Sequence, residues 1–410
     1  MIRIILILTF LIAMNSLQAK VIEVCSSCSV KTIKEGIRQA ADYDVVLVKK
    51  GTYREYNIEV RKRLIIRSQG RAVIDALTKG HVFQVFSDRV TIEGFHFKNV
   101  AHSYTKEYAA VLLFKSNHFK VLNNSFEKIF FGILVEKSKN GYIKGNTIRG
   151  IARDEAGSGN GIHLWHCENI LVENNKISGM RDGIYLEFVE KSRILKNTSE
   201  NNIRYGLHFM FSNDDEYHYN TFNNNGAGVA VMFSKRINMT KNLFYNNWGP
   251  SSYGVLLKEI YDARIEENIF RENTTGIYLE GSTRVDYKSN DFIKNGWAVK
   301  VVGSSYTNIF KNNNFLHNSF DVSYNSKIND NKFEGNYWSS YTGYDLNRDG
   351  IGDVPFRPVK LFSYVVNKTP ETIVLLRSLF VDIINFSERV SPVFTPDDLS
   401  DEQPLMKPVK

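Results

Sequence analysis

The sequence predicts an all-β solenoid: a right-handed parallel β-helix with coils of about 22 residues, an N-terminal capping helix and a C-terminal helical or extended tail. Three observations predict it. Asparagine recurs at Asn124, Asn146, Asn175, Asn197, Asn220, Asn242, Asn268 and Asn290, at intervals of 22 to 29 residues. A glycine-led run recurs in parallel, as "GILVE" (132–136), "GIHLW" (161–165), "GIYLE" (183–187), "GLHFM" (206–210), "GVAVM" (228–232), "GVLLK" (254–258) and "GIYLE" (276–280). From the second run onward the first and third residues after glycine are apolar every time, from Ile162 and Leu164 to Ile277 and Leu279. Short β-prone runs of this kind cannot bury an apolar face alone, but they can when stacked. The leucine spacing of a leucine-rich repeat is absent.

Each element has a local cause. Strands of successive coils lie roughly 4.8 Å apart. Asparagine suits one turn because it tolerates the left-handed backbone and its amide reaches a copy one rung away. Glycine suits a tight bend. Residues 1–19, "MIRIILILTFLIAMNSLQA", join one arginine to an apolar run and a small residue at Ala19, which reads as a signal peptide; the run is short for a membrane span. Residues 20–89 form the N-terminal cap and first coils, with an amphipathic helix near 31–41 covering the open end of the solenoid. Residues 90–338 carry the repeats and 339–360 an Asp-rich loop region. Residues 361–410 hold a docking helix (370–390, opened by Pro370) and a tail that extends along a surface.

A formal charge of +8 over 410 residues, spread rather than blocked, argues against a nucleic-acid partner. It fits an acidic polysaccharide, an anionic membrane surface or an acidic protein. Export makes disulfides permissible. Cys25 and Cys28 ("CSSC") are a candidate local disulfide, with a redox or metal role as the alternative. Cys167 is left over as a buried thiol.

The glycine-led strand defines the face to search. In "LHFMF" (207–211), alternation sends Leu207, Phe209 and Phe211 one way and His208 and Met210 the other. The second and fourth residues after each glycine point outward: His163/Trp165, Tyr185/Glu187, His208/Met210, Ala230/Met232, Leu256/Lys258 and Tyr278/Glu280. Met210 and Met232 thus share one position on consecutive rungs, and His208 lies about 7 Å along the strand from Met210. Two thioethers with an imidazole form a soft ligand set that suits Cu(I), so His208, Met210 and Met232 are the candidate copper residues. The other reading of the same face is a protein-docking surface, to which Trp165, Tyr185, Glu187, Trp248 and Lys258 belong. Longer loops before Gly161 and Gly254 leave one edge on either side of these rungs, as insertions around a working face do. In "HLWHCE", His163 points outward while His166 and Cys167 fall at the following turn, which is a poor metal set. In "DLNRDGIGD", Asp345, Asn347, Asp349 and Asp353 stand at the spacing of a calcium loop with Gly350 at its turn, although Phe356 occupies the place of the closing glutamate. Structural calcium and a plain polar turn are both open there.

The segments "DGIYLEFVEKS", "YGLHFMFS", "GAGVAVMFSKR", "NNWGPSSYGVLLKE", "NGWAVK", "GNYWSSYTGYDLNRDGIGDVPFRPVKLFSYVV" and "DEQPLMKP" together resemble the NosD family over roughly residues 90–410. The resemblance implies a periplasmic, non-enzymatic accessory protein for maturation of nitrous oxide reductase. Such proteins work with an inner-membrane ABC transporter, engage the apo-enzyme and support assembly of its copper–sulfide centre. The resemblance also implies copper binding through the matching His208, Met210 and Met232, unless a separate copper chaperone supplies the metal. It implies that the 370–390 helix docks on the transporter's membrane subunit. The "CSSC" pair lies outside the matching part. The rival function is a carbohydrate-binding or polysaccharide-cleaving β-helix, which needs clustered outward carboxylates. The outward Glu187 and Glu280 stand four rungs, roughly 19 Å, apart. A plain adhesin or scaffold is the third reading.

Overall fold

The computed structural model describes residues 19–103, 105–325, 330–390 and 399–409. Apart from Ala19, the expected signal peptide lies outside the described residues. Strands pair only in parallel between coils and build three sheets of 14, 12 and 13 strands. One coil shows the plan: Arg193–Leu195, Thr198–Glu200 and Tyr205–Met210 each enter a different sheet. In the 12-stranded sheet Ile184, Leu207, Val229, Val255 and Ile277 stand in one register column, all fully buried. The predicted β-helix and its core face are therefore present. Stacking puts like over like: Phe222, Phe244, Phe270, Phe292, Phe315 and Trp338 form a buried column with ring centroids 4.0 to 5.5 Å apart.

The asparagine column forms a continuous ladder. The Asn197 side-chain amide donates to Asn220 Oδ1 at 3.1 Å, and the Asn220 amide donates to Asn242 Oδ1 at 3.0 Å. Each acceptor also takes the backbone N–H of the asparagine below it, so two donors are satisfied per rung. The left-handed backbone is not at the ladder asparagines, as expected, but one residue earlier, at Asn174, Lys196, Tyr219, Lys241 and Glu267. That twist turns the asparagine side chain inward. A second ladder, unanticipated, links Asn202, Asn225, Asn247, Asn273, Asn295 and Asn318.

The glycine column also has a different cause from the one expected. Gly161, Gly183, Gly206, Gly228, Gly254 and Gly276 have no left-handed backbone; a Cβ on any of them would lie 2.5 to 2.7 Å from a carbonyl oxygen of the next coil. Close approach between rungs, not bending, selects glycine.

Both ends are covered. Helix Ile33–Gln39, capped by Thr32, buries Ile33 and Ile37 over the first coil and is shorter than the expected 31–41. At the far end the expected single helix from Pro370 is broken into helix Leu361–Lys368, a 3-10 turn Pro370–Leu375 and helix Leu379–Val390. Pro370 forces Thr369 out of the helical region, which ends the first helix there. Phe362, Val366 and Val381 pack on Trp297 and Phe320 of the solenoid. The outer side of Leu379–Val390 leaves Leu379, Phe380, Ile383 and Phe386 exposed.

The final segment, expected along a surface, instead closes the solenoid. Asp401 is fully buried and continues the first asparagine ladder. Its carboxylate accepts from Gly335 N–H at 3.0 Å, from Asn336 N–H at 2.9 Å and from the Asn336 side chain at 3.0 Å. It also accepts from Trp338 Nε1 at 3.1 Å.

Candidate functional site

Strands Tyr205–Met210 and Ala227–Met232 put Met210 directly against Met232, with Glu187 on the rung before and Lys258 on the rung after. Both methionines are half-buried. The Tyr185 hydroxyl approaches Met210 Sδ at 3.9 Å. Burial, with Glu187 nearby, pushes the Tyr185 phenol up to about 12, so it stays protonated and able to donate.

His208 points out of the core, as predicted, but not into solvent. It lies between the rings of Tyr185 and Tyr205, at 4.8 and 4.9 Å, and is 6% exposed. Neither ring nitrogen has a hydrogen-bond partner; the nearest carboxylate, Asp182, is 3.9 Å from Nδ1, too far for a bond. Asp182 is committed to Arg204, whose Nε donates to it at 2.8 Å. Although burial works against ionisation, Arg204 and then His208 hold the Asp182 carboxyl below its usual range.

Polar atoms without hydrogen-bond partners concentrate on this face, although Arg181 Nε stands 3.6 Å from the Asp182 carboxylate. Of nine such buried side-chain atoms among the described residues, seven belong to Asn160, His163, Arg181 and His208. Their concentration on one face marks a surface built for more than packing. A cleft of about 600 Å³ opens beside it, lined by Glu107, Tyr108, Leu134, Glu136, Ser158 and Arg181. Burial raises both Glu107 and Glu136. The loops 150–160 and 246–252 join the same two sheets on either side of the His/Met rungs, as predicted. Ser158 and Asn160 are buried, whereas Trp248 is 63% exposed at the tip of the second loop.

His163 packs between Phe131 and Tyr185, and burial, aided by Arg181, pushes it down to about 3. Between pH 6.5 and about 3 the unfolded chain therefore binds a proton here that the folded chain refuses. The stability contributed by the neutral imidazole is whole above pH 6.5 and is lost as the pH falls from there. His163→Phe removes this proton uptake, so the variant should lose less stability than the parent between pH 7 and pH 5. Urea unfolding midpoints at the two pH values measure it; an unchanged difference contradicts the assignment.

Other candidates are dispersed. Trp165 is partly covered by Lys137, 4.9 Å from its ring, and Lys258 pairs with Glu280 at 3.4 Å. His166 sits at the turn, and Cys167 is a buried free thiol that burial pushes up to about 12. Cys25 and Cys28 are joined as a disulfide. The calcium expectation is not supported. Asp345 accepts from the Asp349 and Gly350 amides, Asp349 from Ile351 and from the Asn347 side chain, and Asp353 from Leu346. These oxygens serve their own turn, and among the described residues no group of three or more His, Cys, Asp or Glu is placed to hold a metal.

Phe211 corrects the alternation in "LHFMF". The strand ends at Met210, Phe211 takes a left-handed backbone, and its ring is 39% exposed. It joins His166, Phe188 and Phe233 in an outer stack with centroids 4.6 to 5.2 Å apart. This ladder, beside the methionines, was missed. Its signal was in plain view as an aromatic five places after glycine in "GIYLEF", "GLHFMF" and "GVAVMF".

Comparison with known proteins places this geometry. The NosD family model, described as periplasmic copper-binding protein, matches residues 149–343. A probable ABC transporter binding protein NosD from Pseudomonas aeruginosa is 27% identical over 391 residues, covering 86% of each chain. A protein of the same name from Stutzerimonas stutzeri is 28% identical over 196 residues, covering 43% of this chain and 44% of its own. Among solved structures, a PL6 alginate lyase bound to a trisaccharide has a TM-score of 0.54 at 13% identity, covering 77% of this chain and 85% of its own. The A-module of an Azotobacter vinelandii mannuronan C-5 epimerase has a TM-score of 0.52 at 14% identity, covering 76% and 91%. At those identities the sugar-active proteins share the fold alone. The family model spans the His/Met rungs and both flanking loops, so over that part this chain is similar to the NosD proteins, which are described as periplasmic and copper-binding.

Proposed function

We propose that this protein works with a membrane ABC transporter to support assembly of the copper–sulfide centre of nitrous oxide reductase. In this role the His208–Met210–Met232 face is a transient Cu(I) station, with copper as cargo rather than resident cofactor. The observation that carries the reading is a pair of thioethers in register beside an imidazole whose two nitrogens have no partner. Soft thioether and imidazole donors suit Cu(I), and a partly covered face favours brief residence over storage. Trp165, Tyr185, Glu187, Trp248 and Lys258 border the same face and form its docking rim for the apo-reductase or a copper chaperone. The exposed Leu379, Phe380, Ile383 and Phe386 supply an apolar surface for the transporter's membrane subunit. The relatives named as ABC transporter binding proteins support that partner.

The test is a Cu(I) titration of residues 20–410, purified with the disulfide intact, against a competing chelator. The variant His208→Ala/Met210→Leu/Met232→Leu is run beside it. About one equivalent should bind to the parent, and the variant should weaken it at least tenfold, as loss of a coordinating group does. No competition by the parent leaves this face as a docking surface alone.

A further inference from the structure

We propose that Cys25 and Cys28, once reduced, form a second Cu(I) site, a bis-thiolate at the N-terminal end of the solenoid. The inference extends the copper reading above but stands on different residues. The site lies seven strands before the His208 coil in the 14-stranded sheet, roughly 34 Å away at the rung spacing.

The turn holds its shape without the sulfur–sulfur bond. Cys25 N–H donates to Val30 O at 3.1 Å, and Cys28 N–H donates to Cys25 O at 3.2 Å. Val24 and Val30 bridge each other and are buried under the capping helix. A cross-link between residues three apart closes so short a loop that its entropic contribution is at the low end for disulfides. The bond therefore adds little to a turn already pinned at both ends, and its reduction leaves the two Cα atoms near their 5.0 Å separation. Two thiolates held this close are a soft pair that selects Cu(I) over harder cations.

Access and leaving-group chemistry fit as well. Cys28 is half-exposed between exposed serines, whereas Cys25 is buried, with its Sγ 3.2 Å from the Ser27 hydroxyl. A thiolate of a partner dithiol attacks Cys28 Sγ; the Cys25–Cys28 bond breaks, and Cys25 leaves as a thiolate that Ser27 can solvate and water protonates. The partner's second thiol then displaces Cys28, so the partner departs as a disulfide after giving up two electrons and two protons. Cu(I) next replaces the two thiol protons, which go to solvent, and no electron moves in that step. The remaining cysteine, Cys167, is buried far along the solenoid and does not compete.

The experiment uses residues 20–410 in two forms: oxidised as purified, and reduced with a phosphine, then desalted without oxygen. Thiols are counted and Cu(I) is titrated against a bicinchoninate competitor. The reduced form should bind one equivalent more than the oxidised form and show an ultraviolet thiolate-to-copper band. Cys25→Ser/Cys28→Ser should lose that extra equivalent, and His208→Ala/Met210→Leu/Met232→Leu should keep it. Equal stoichiometry in the oxidised and reduced parent, with two added thiols confirmed, overturns the proposal and needs no variant to fold. Loss of only the equivalent shared by both forms would touch the His208 face and leave this site standing.

Discussion

Asp401→Ala should detach the final segment and open the last coils of the solenoid. The buried carboxylate accepts five N–H groups: four from the solenoid (the Gly335 and Asn336 backbones, the Asn336 side chain and the Trp338 indole) and one from the Gln403 backbone. Alanine leaves the four solenoid donors without an acceptor in a dry position. Each unsatisfied donor costs about 1–3 kcal/mol, and charged acceptors stand at the upper end, so a loss of roughly 3 kcal/mol is expected after local relaxation. The effect should be local. Hydrogen exchange should quicken around residues 330–340 while the coils near Leu207 keep their protection. Asp401→Asn, which retains one acceptor oxygen, should fall between the two. Parent-like exchange in the alanine variant would show that the segment is held by packing of Leu399 and Phe356 instead.

Gly206→Ala should destabilise by about 2 kcal/mol, in the range for overpacking a filled interior. The new methyl would stand 2.7 Å from the Gly228 carbonyl oxygen, 2.8 Å from the Asn225 side-chain nitrogen and 2.9 Å from the Phe222 ring. None can yield easily. The carbonyl belongs to a strand in a parallel ladder, Asn225 to the second asparagine ladder and Phe222 to the aromatic column. At a site whose backbone alanine can adopt, Gly→Ala ordinarily stabilises by lowering the entropy of the unfolded chain, so the sign separates close approach from backbone freedom. A denaturant midpoint equal to or above the parent's would refute the close-approach explanation. The same substitution shifts the strand that carries His208 and Met210, so Cu(I) affinity should fall with stability.

Much of the working face was legible because a stacked repeat turns sequence spacing into spatial register. Once Met210 and Met232 occupy equivalent places in consecutive coils, parallel pairing must set them side by side. What surrounds them was not legible. Alternation says that His208 leaves the core, but its cover comes from Tyr185, a coil earlier, and Tyr205, three residues earlier. Phe211 was misread because alternation holds only while the strand lasts, and the chain turns left-handed one residue past Met210. The Asp-rich turn left two readings open for another reason. Its spacing is that of a calcium loop, but a short turn offers its own amides to the same oxygens.

By itself the sequence determined the parallel solenoid, its core columns, the asparagine ladder and the outward methionine pair, because each depends on a repeat that every coil restates. Only the tertiary structure decided that His208 is buried without a hydrogen-bond partner and that Asp401 closes a ladder begun at Asn124. The first depends on how neighbouring tyrosine rings fold over the imidazole and the second joins residues more than sixty positions apart, and no local propensity carries either.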